Sequence, residues 1–312
     1  MIKELFYLLI FPGFLFISAF ALAGEYIDRK LYARFQNRVG PPWFQPLADL
    51  IKLLAKEDIV PCDANANMFK LVPVFALTAA VASIIYIPLW QSSSIYSFPG
   101  DVIVVLYLLT IPTLCFFMGG WYSTSLFARI GSVRTLTQLF AYEVPLFMSI
   151  LSAAVLADSW SIKDIVNFYN SHPGYLLFNG IGFVVSMIAL LGKLEKTPFD
   201  IPEAETEIVA GSFTEYSGRL LAIFRLTLDI EMVVGAALIS AIFIPFGLNF
   251  SPVPAFIITV IKIELVIAML SLARTIFARL RIDQMVNFCW KYVVPLALTQ
   301  LLINFLIKGF FR

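Results

Sequence analysis

The chain has 312 residues, of which 60% are hydrophobic, 15% aromatic and only 14% charged. Several apolar runs of about 20 residues in that composition exclude a soluble globule and point to an all-α, polytopic integral membrane protein. With 22 basic against 21 acidic residues the net charge is +1, so nothing favours nucleic acid as a partner, and the charges inform only by position.

The apolar runs predict eight spans, at roughly 4–23, 69–90, 101–121, 136–157, 175–193, 220–246, 254–273 and 288–308. Each is long enough to cross a hydrocarbon layer of about 30 Å at about 1.5 Å per residue. No internal repeat or linker divides them, which predicts a single membrane domain over residues 1–312. The first run is too long for a usual signal peptide and is expected to be a retained span. Cys62, Cys115, Cys289 and the single His172 fall in no metal-ligand spacing. No metal, cofactor or catalytic centre is therefore expected in this chain, and redox chemistry would belong to a partner.

Lysine and arginine gather on one side. The first, third, fifth and seventh loops hold fourteen of the 22, while the other side holds Lys3, Lys163, Lys308 and Arg312. The positive-inside rule makes the odd loops cytoplasmic and puts both termini outside, in a cell membrane. In the first loop, Leu47, Leu50, Ile51 and Leu54 recur at helical spacing after Pro46, with Asp49, Lys52 and Lys56 opposite. That run is too short to span and predicts a helix lying in the cytoplasmic lipid interface. Just before it, Arg29, Lys30, Arg34 and Arg38 alternate with Tyr26, Tyr32 and Phe35; such charge sets topology or docks an acidic partner.

Ionisable residues inside the spans are expensive in lipid and should face a polar interior. Glu143 precedes Pro145 in AYEVP on the fourth span. On the sixth, Arg225 and Asp229 are four apart and can pair, with Glu231 rotated away. On the seventh, Lys262 and Glu264 are two apart and need partners from other helices. Paired charges that only fix helix packing are the plainer alternative; a row across several helices more often marks an ion or proton path. The fifth loop, EKTPFDIPEAETEIVAGSFTEYSGR, crowds six carboxylates into 25 residues. Pro202 fits a first helical position, with Glu203 and Glu205 in the first turn and Glu203 and Glu207 repelling along one face. Crowding near a low-dielectric boundary should raise at least one pKa there.

The segment TPFDIPEAETEIVAGSFTEYSGR resembles the signature cytoplasmic loop of the complex I subunit 1 family. The likeness runs the length of the chain, through IDRKLYARFQNRVGP, QPLADLIKLLAKE, QLFAYEVP and ARLRIDQM. Two features depart from the quinone-reducing branch. Only Pro42, Trp43 and Phe44 separate Gly40-Pro41 from Gln45-Pro46, and Leu228 stands thirteen residues after Glu215, where that branch usually has a Glu. The short segment resembles that of membrane-bound nickel-iron hydrogenases and formate hydrogenlyases, and the two departures together point to the membrane subunit of an energy-converting hydrogenase or a related sulfur reductase.

The resemblance implies a membrane anchor and coupling subunit that is non-catalytic alone. Its expected partners are hydrogenase-like large and small subunits, an iron-sulfur subunit and antiporter-like membrane subunits, with membrane lipid around it. A nickel-iron centre and iron-sulfur clusters would lie in those partners, and their turnover would drive H+ or Na+ movement. It further implies that Glu203, Glu205 and Glu207 begin an acidic path that Glu143 continues. Asp229, Glu231 and Glu264 join it by burial logic. Arg29, Lys30, Arg34, Arg38, Asp200 and Glu215 would meet the peripheral arm. The alternatives are the quinone-site subunit of a proton-pumping NADH:quinone oxidoreductase and a free-standing transporter; the missing internal repeat counts against the second.

Overall fold

The computed structural model describes residues 2–90, 94–248 and 250–310, without the side chains of Ile2, Lys3, Glu205 and Thr206. Arg312 and the side chains of Lys3 and Glu205, all used in the sequence reading, therefore lie outside the described residues. Every regular element among those described is helical. Eight stretches are long and apolar enough to cross a membrane, and they coincide with the predicted eight.

The first stretch is two helices, α1 (Ile2–Leu9) and α2 (Phe14–Phe35), broken around Pro12 and Gly13. Helix α2 runs well past residue 23, because Glu25 and Asp28 turn inward and find cationic partners within the bundle. Helix α3 (Gln45–Leu54) is the predicted interfacial helix, with Leu47, Ile51 and Leu54 exposed along one side as a lipid boundary requires. Helix α4 (Ala66–Ser83) starts at Asn65, whose side chain accepts from the Met68 amide at 3.3 Å.

Helices α5 (Asp101–Tyr122) and α6 (Leu126–Ala157) follow. At 32 residues α6 is about 48 Å long, more than a hydrocarbon layer needs, so its first turns carry Arg129 and Arg134 beyond the layer. Helix α7 (Ile162–Ser171) is short, and a 3-10 segment (Pro173–Asn179) leads into α8 (Gly180–Lys193). After the acidic loop and its one-turn helix α9 (Glu205–Ile208) come α10 (Gly218–Phe243) and α11 (Pro252–Ile276). The chain closes with α12 (Ile282–Phe288), a π-helical turn (Cys289–Val293) and α13 (Val294–Phe310).

Helix α10 is the axis: it packs against α2, α3, α4, α8 and α11 and is buried along nearly its whole length. At the even-loop end, Asn304 Nδ2 donates to the Ser152 carbonyl and to Asn179 Oδ1, each at 2.8 Å, and Gln300 Nε2 donates to the Phe178 carbonyl at 2.7 Å. These bonds join α6, α13 and the 3-10 segment where apolar contacts alone leave packing unspecified.

The acidic loop differs from its predicted form. No helix starts at Pro202; residues 201–203 form a turn, only Glu205–Ile208 is α-helical, and Gly211–Phe213 is a single 3-10 turn. The loop is pinned too closely for a longer helix. Gln138 Nε2 donates to the Gly192 carbonyl at 2.7 Å and the Phe199 carbonyl at 2.8 Å, and Phe199 and Ile201 are buried in the core. Beyond α9 the chain folds back on itself at Gly211, which has φ +55° and whose missing Cβ would sit 1.7 Å from the Pro202 carbonyl oxygen. Phe213 and Tyr216 then lock into an aromatic cluster with Phe69, Phe116 and Phe224; the Phe69 and Tyr216 rings stack at 4.0 Å.

Candidate functional site: a charged chamber and a row of buried ionisable groups

At the odd-loop end, α2, α3 and α10 and the acidic loop enclose a chamber of about 790 Å³. One wall is a dense ion network. Asp28, 1% exposed, accepts from Lys196 and Arg274 at 2.6 Å each and from the Ser271 hydroxyl at 2.5 Å. Glu25 accepts from Arg29 at 2.7 Å and Lys196 at 3.2 Å, and Arg29 reaches Asp49 on α3 at 2.9 Å. Burial works against the charge on Lys196, but Asp28 and Glu25 outweigh it, and its pKa is raised. The network fixes the interfacial helix to α2, α11 and the acidic loop. Six spaced acids and bases become a wall, in part because i, i+4 spacing on α2 aims Glu25 and Arg29 the same way.

The acidic loop lines the chamber beyond Lys196 as well, through Asp200, Glu203 and Ala204. Glu203 Oε1 lies 2.8 Å from the Arg225 guanidinium and Asp200 Oδ1 lies 3.2 Å from that of Arg279. Glu207 accepts from Arg134 at 2.7 Å, with Arg279 3.8 Å away. Two expectations are thereby corrected. Glu203 and Glu207 share no helix face and do not repel, since each has its own arginine. Arg225 pairs with Glu203 rather than with Asp229, because the turn at residues 201–203 brings Glu203 over the first turns of α10. Asp229 remains half-buried in the chamber lining.

The raised carboxyl expected in this stretch is Glu195, which sequence reasoning did not single out. It is 6% exposed, has φ +51°, and neither carboxylate oxygen meets a hydrogen-bond partner. Burial, then the charges of Glu203 and Glu231, push its pKa well above the usual carboxylate range. Glu207 moves the other way: the Arg134 hydrogen bond holds its pKa below the ordinary value.

Behind Glu195 the ionisable groups continue inward. Lys193, at the end of α8, is 2% exposed and holds its Nζ 2.7 Å from Glu231 Oε1 on α10, which is fully buried. The same ammonium donates to the Leu109 carbonyl and lies 3.4 Å from the Thr113 hydroxyl on α5. Thr113 meets the Tyr142 hydroxyl at 3.0 Å. One residue on, Glu143 accepts from Thr110, a turn away on α5. Lys193 entered the sequence reading only as a loop charge, although a Lys at the end of an apolar span needs an acidic partner from another helix; only the fold shows that Glu231 is that partner.

Other candidates stand apart. Lys262 donates to the Ile244 and Phe246 carbonyls at 2.9 and 3.0 Å, closing the end of α10, while Glu264 Oε2 has no partner among the described residues. Of the first-loop cations, Arg29 is engaged in the chamber wall and Lys30 donates to the Pro41 carbonyl at 3.5 Å, whereas Arg34 and Arg38 are exposed. Glu215 is half-buried before α10. Among the described residues no set of three or more His, Cys, Asp and Glu side chains converges as metal ligands would.

Comparison with known proteins assigns this architecture. The NADH dehydrogenase family profile matches residues 7–305. The H subunit of the NADH-quinone oxidoreductase of Carboxydothermus hydrogenoformans is 33% identical over 303 residues, covering 94% of this chain and 85% of its own. Its counterpart in Dehalococcoides mccartyi strain CBDB1 is 35% identical over 311 residues, covering 97% and 86%. Among solved structures, a chain of the membrane-bound sulfane sulfur reductase, an archaeal respiratory membrane complex, superposes with a TM-score of 0.83 at 25% identity, covering 93% of this chain and 96% of that one. The eight apolar helices, the nearly full-length profile and relatives a third identical along their length agree: this multi-pass membrane protein belongs to the NADH dehydrogenase subunit 1 family and is a membrane subunit of a multisubunit, complex I-like respiratory oxidoreductase.

Proposed function

We propose that the chain anchors a hydrogenase-like or sulfur-reductase-like peripheral arm on its odd-loop face, which is cytoplasmic, and converts redox turnover there into H+ or Na+ movement in antiporter-like neighbours. The nickel-iron or related centre and the iron-sulfur clusters belong to the partner subunits. The observation that carries the reading is the row of groups from the chamber inward: Glu203, Asp229 and Glu195 in the lining, then the Lys193–Glu231 pair, Thr113, Tyr142 and Glu143. A charge change beside the acidic loop alters the protonation of coupled carboxylates, and these bias the helices that carry them. Glu205 and Glu207 would receive that change first. Arg34 and Arg38, exposed beside the interfacial helix, would meet the arm together with Lys30, Asp200 and Glu215.

The relatives' name, that of an NADH-quinone oxidoreductase, favours a quinone as the second reading. The chamber lining supports it less. Small apolar ligands take pockets that are mostly hydrophobic with a few polar groups, whereas this lining includes Glu25, Arg29, Asp49, Glu195, Lys196, Asp200, Glu203, Arg225, Asp229, Arg274 and Arg279. The test is to purify the native assembly through a tag on this chain and to determine its metals and cofactors. Nickel or a sulfur-reducing activity with iron-sulfur clusters supports the proposal; flavin, NADH oxidation and bound quinone overturn it in favour of the second reading.

A further inference from the structure

Five carboxylates are buried among the described residues: Glu25, Asp28, Asp101, Glu195 and Glu231. Four are compensated. Glu25 and Asp28 sit in the chamber-wall ion network, Asp101 accepts from the Ile162 amide at 2.7 Å, and Glu231 faces Lys193. Glu195 alone has neither an ion pair nor a hydrogen bond to either oxygen. An ionised carboxylate left in that condition costs several kcal/mol, which no surrounding contact returns. The cations whose charge reaches it are already engaged, Arg225 with Glu203 and Lys193 with Glu231, as is its chain neighbour Lys196 with Asp28.

Its position is equally particular. Glu195 lines the chamber, and it lies within electrostatic reach of Glu203 and Arg225 on the chamber side and of Glu231 and Lys193 on the inner side. Tyr142 on α6 also senses its charge. These groups act on it or sense its charge from α6, α8, α10 and the acidic loop, and Lys196, Asp200 and Asp229 line the same chamber. The backbone holds the residue in the left-handed region, with its amide bonded to the Gly192 carbonyl at 3.3 Å, so the side chain is kept at the boundary.

We propose that Glu195 is the proton-holding group between the chamber and the buried Lys193–Glu231 pair. The inference rests on the coupling reading above and names a member of its path. Glu195 rests as the neutral acid. Through an intervening water it gives its proton to a Glu231 carboxylate oxygen, which neutralises Glu231 and releases its hold on the Lys193 ammonium, and the Glu195 carboxylate then takes a proton from hydronium in the chamber, leaving water. No electrons move, and the two steps together carry one proton from the chamber to Glu231. Freed from Glu231, the Lys193 charge acts on Glu143, which lies within its reach.

The test uses the intact complex reconstituted in lipid vesicles, with Glu195→Gln, Glu195→Asp and Glu143→Gln variants. Two quantities are read: ions moved per electron transferred, and the infrared carbonyl-stretch band of protonated carboxyl groups. At neutral pH the wild type shows a band that Glu195→Gln lacks and Glu195→Asp shifts. Ions per electron fall at least tenfold in Glu195→Gln and recover in part in Glu195→Asp. If Glu195→Gln fails to assemble, the shifted band in Glu195→Asp decides, and an unshifted band overturns the proposal. Wild-type transport in Glu195→Gln beside loss in Glu143→Gln overturns the role of Glu195 and leaves the coupling reading standing. Wild-type transport in both overturns both.

Discussion

Lys193 and Glu231 face each other across 2.7 Å with side chains 2% and 0% exposed, so the two charges depend on one another for compensation. Removing one alone strands the other. Lys193→Met should cost about 3–5 kcal/mol of stability, and Lys193→Met with Glu231→Leu should recover most of it, since both charges leave together. Thermal unfolding of the detergent-purified complex measures the difference; additive losses would contradict it. The exposed pair is weaker. Glu207 is 51% exposed beside Arg134, and the pair should contribute less than about 1 kcal/mol, so Glu207→Gln should barely move the unfolding midpoint. Its folded pKa is depressed, so its contribution is present above the ordinary carboxyl value of 4.5 and disappears as the pH falls below it. Unfolding midpoints of wild type and Glu207→Gln should therefore converge in acid and separate slightly at neutral pH.

At the scale of elements, the acidic loop keeps its shape because α6 lets it approach. Gly131 has no side chain to hold the loop off: a Cβ there would lie 2.5 Å from the Gly211 carbonyl carbon and the Ser212 nitrogen. Gly131→Ala should cost about 1–3 kcal/mol and expose the loop to protease, as limited proteolysis would show. An unchanged digestion pattern would contradict this packing. The spans were legible in the sequence because runs of about 20 apolar residues have few alternatives, and α3 because Leu47, Ile51 and Leu54 keep helical spacing. The form of residues 201–208 was not. Pro202 and the acids after it satisfy helix-start rules, but those rules weigh local dipoles and caps, whereas Gln138, Gly211 and the Phe69–Tyr216 stack act from distant positions. The ionisable candidates were readable as residues expensive in lipid; their partners were not. Arg225 four residues from Asp229 reads as a pair, and only the turn that carries Glu203 over α10 shows otherwise.

Across the whole molecule, charge is arranged by depth. The odd-loop end carries the paired acids and bases of the chamber, the middle holds Lys193, Glu231 and Glu143, and at the even-loop end the Gln300, Asn304 and Asn179 amides join helices beside the single Lys308–Asp158 pair. The amide bonds at that end specify helix packing without charge, so Asn304→Leu should lower stability by about 1–3 kcal/mol while leaving ions moved per electron unchanged. Glu143 ends the row and is half-buried on α6; in the proposed coupling a neighbouring membrane subunit would receive its charge state. The most direct test of the coupling claim is the ratio of ions moved to electrons transferred by the reconstituted complex carrying Glu143→Gln. The variant complexes should assemble, react with an artificial electron donor and give a ratio at least tenfold below that of the wild type. A ratio equal to the wild type would contradict the coupling claim.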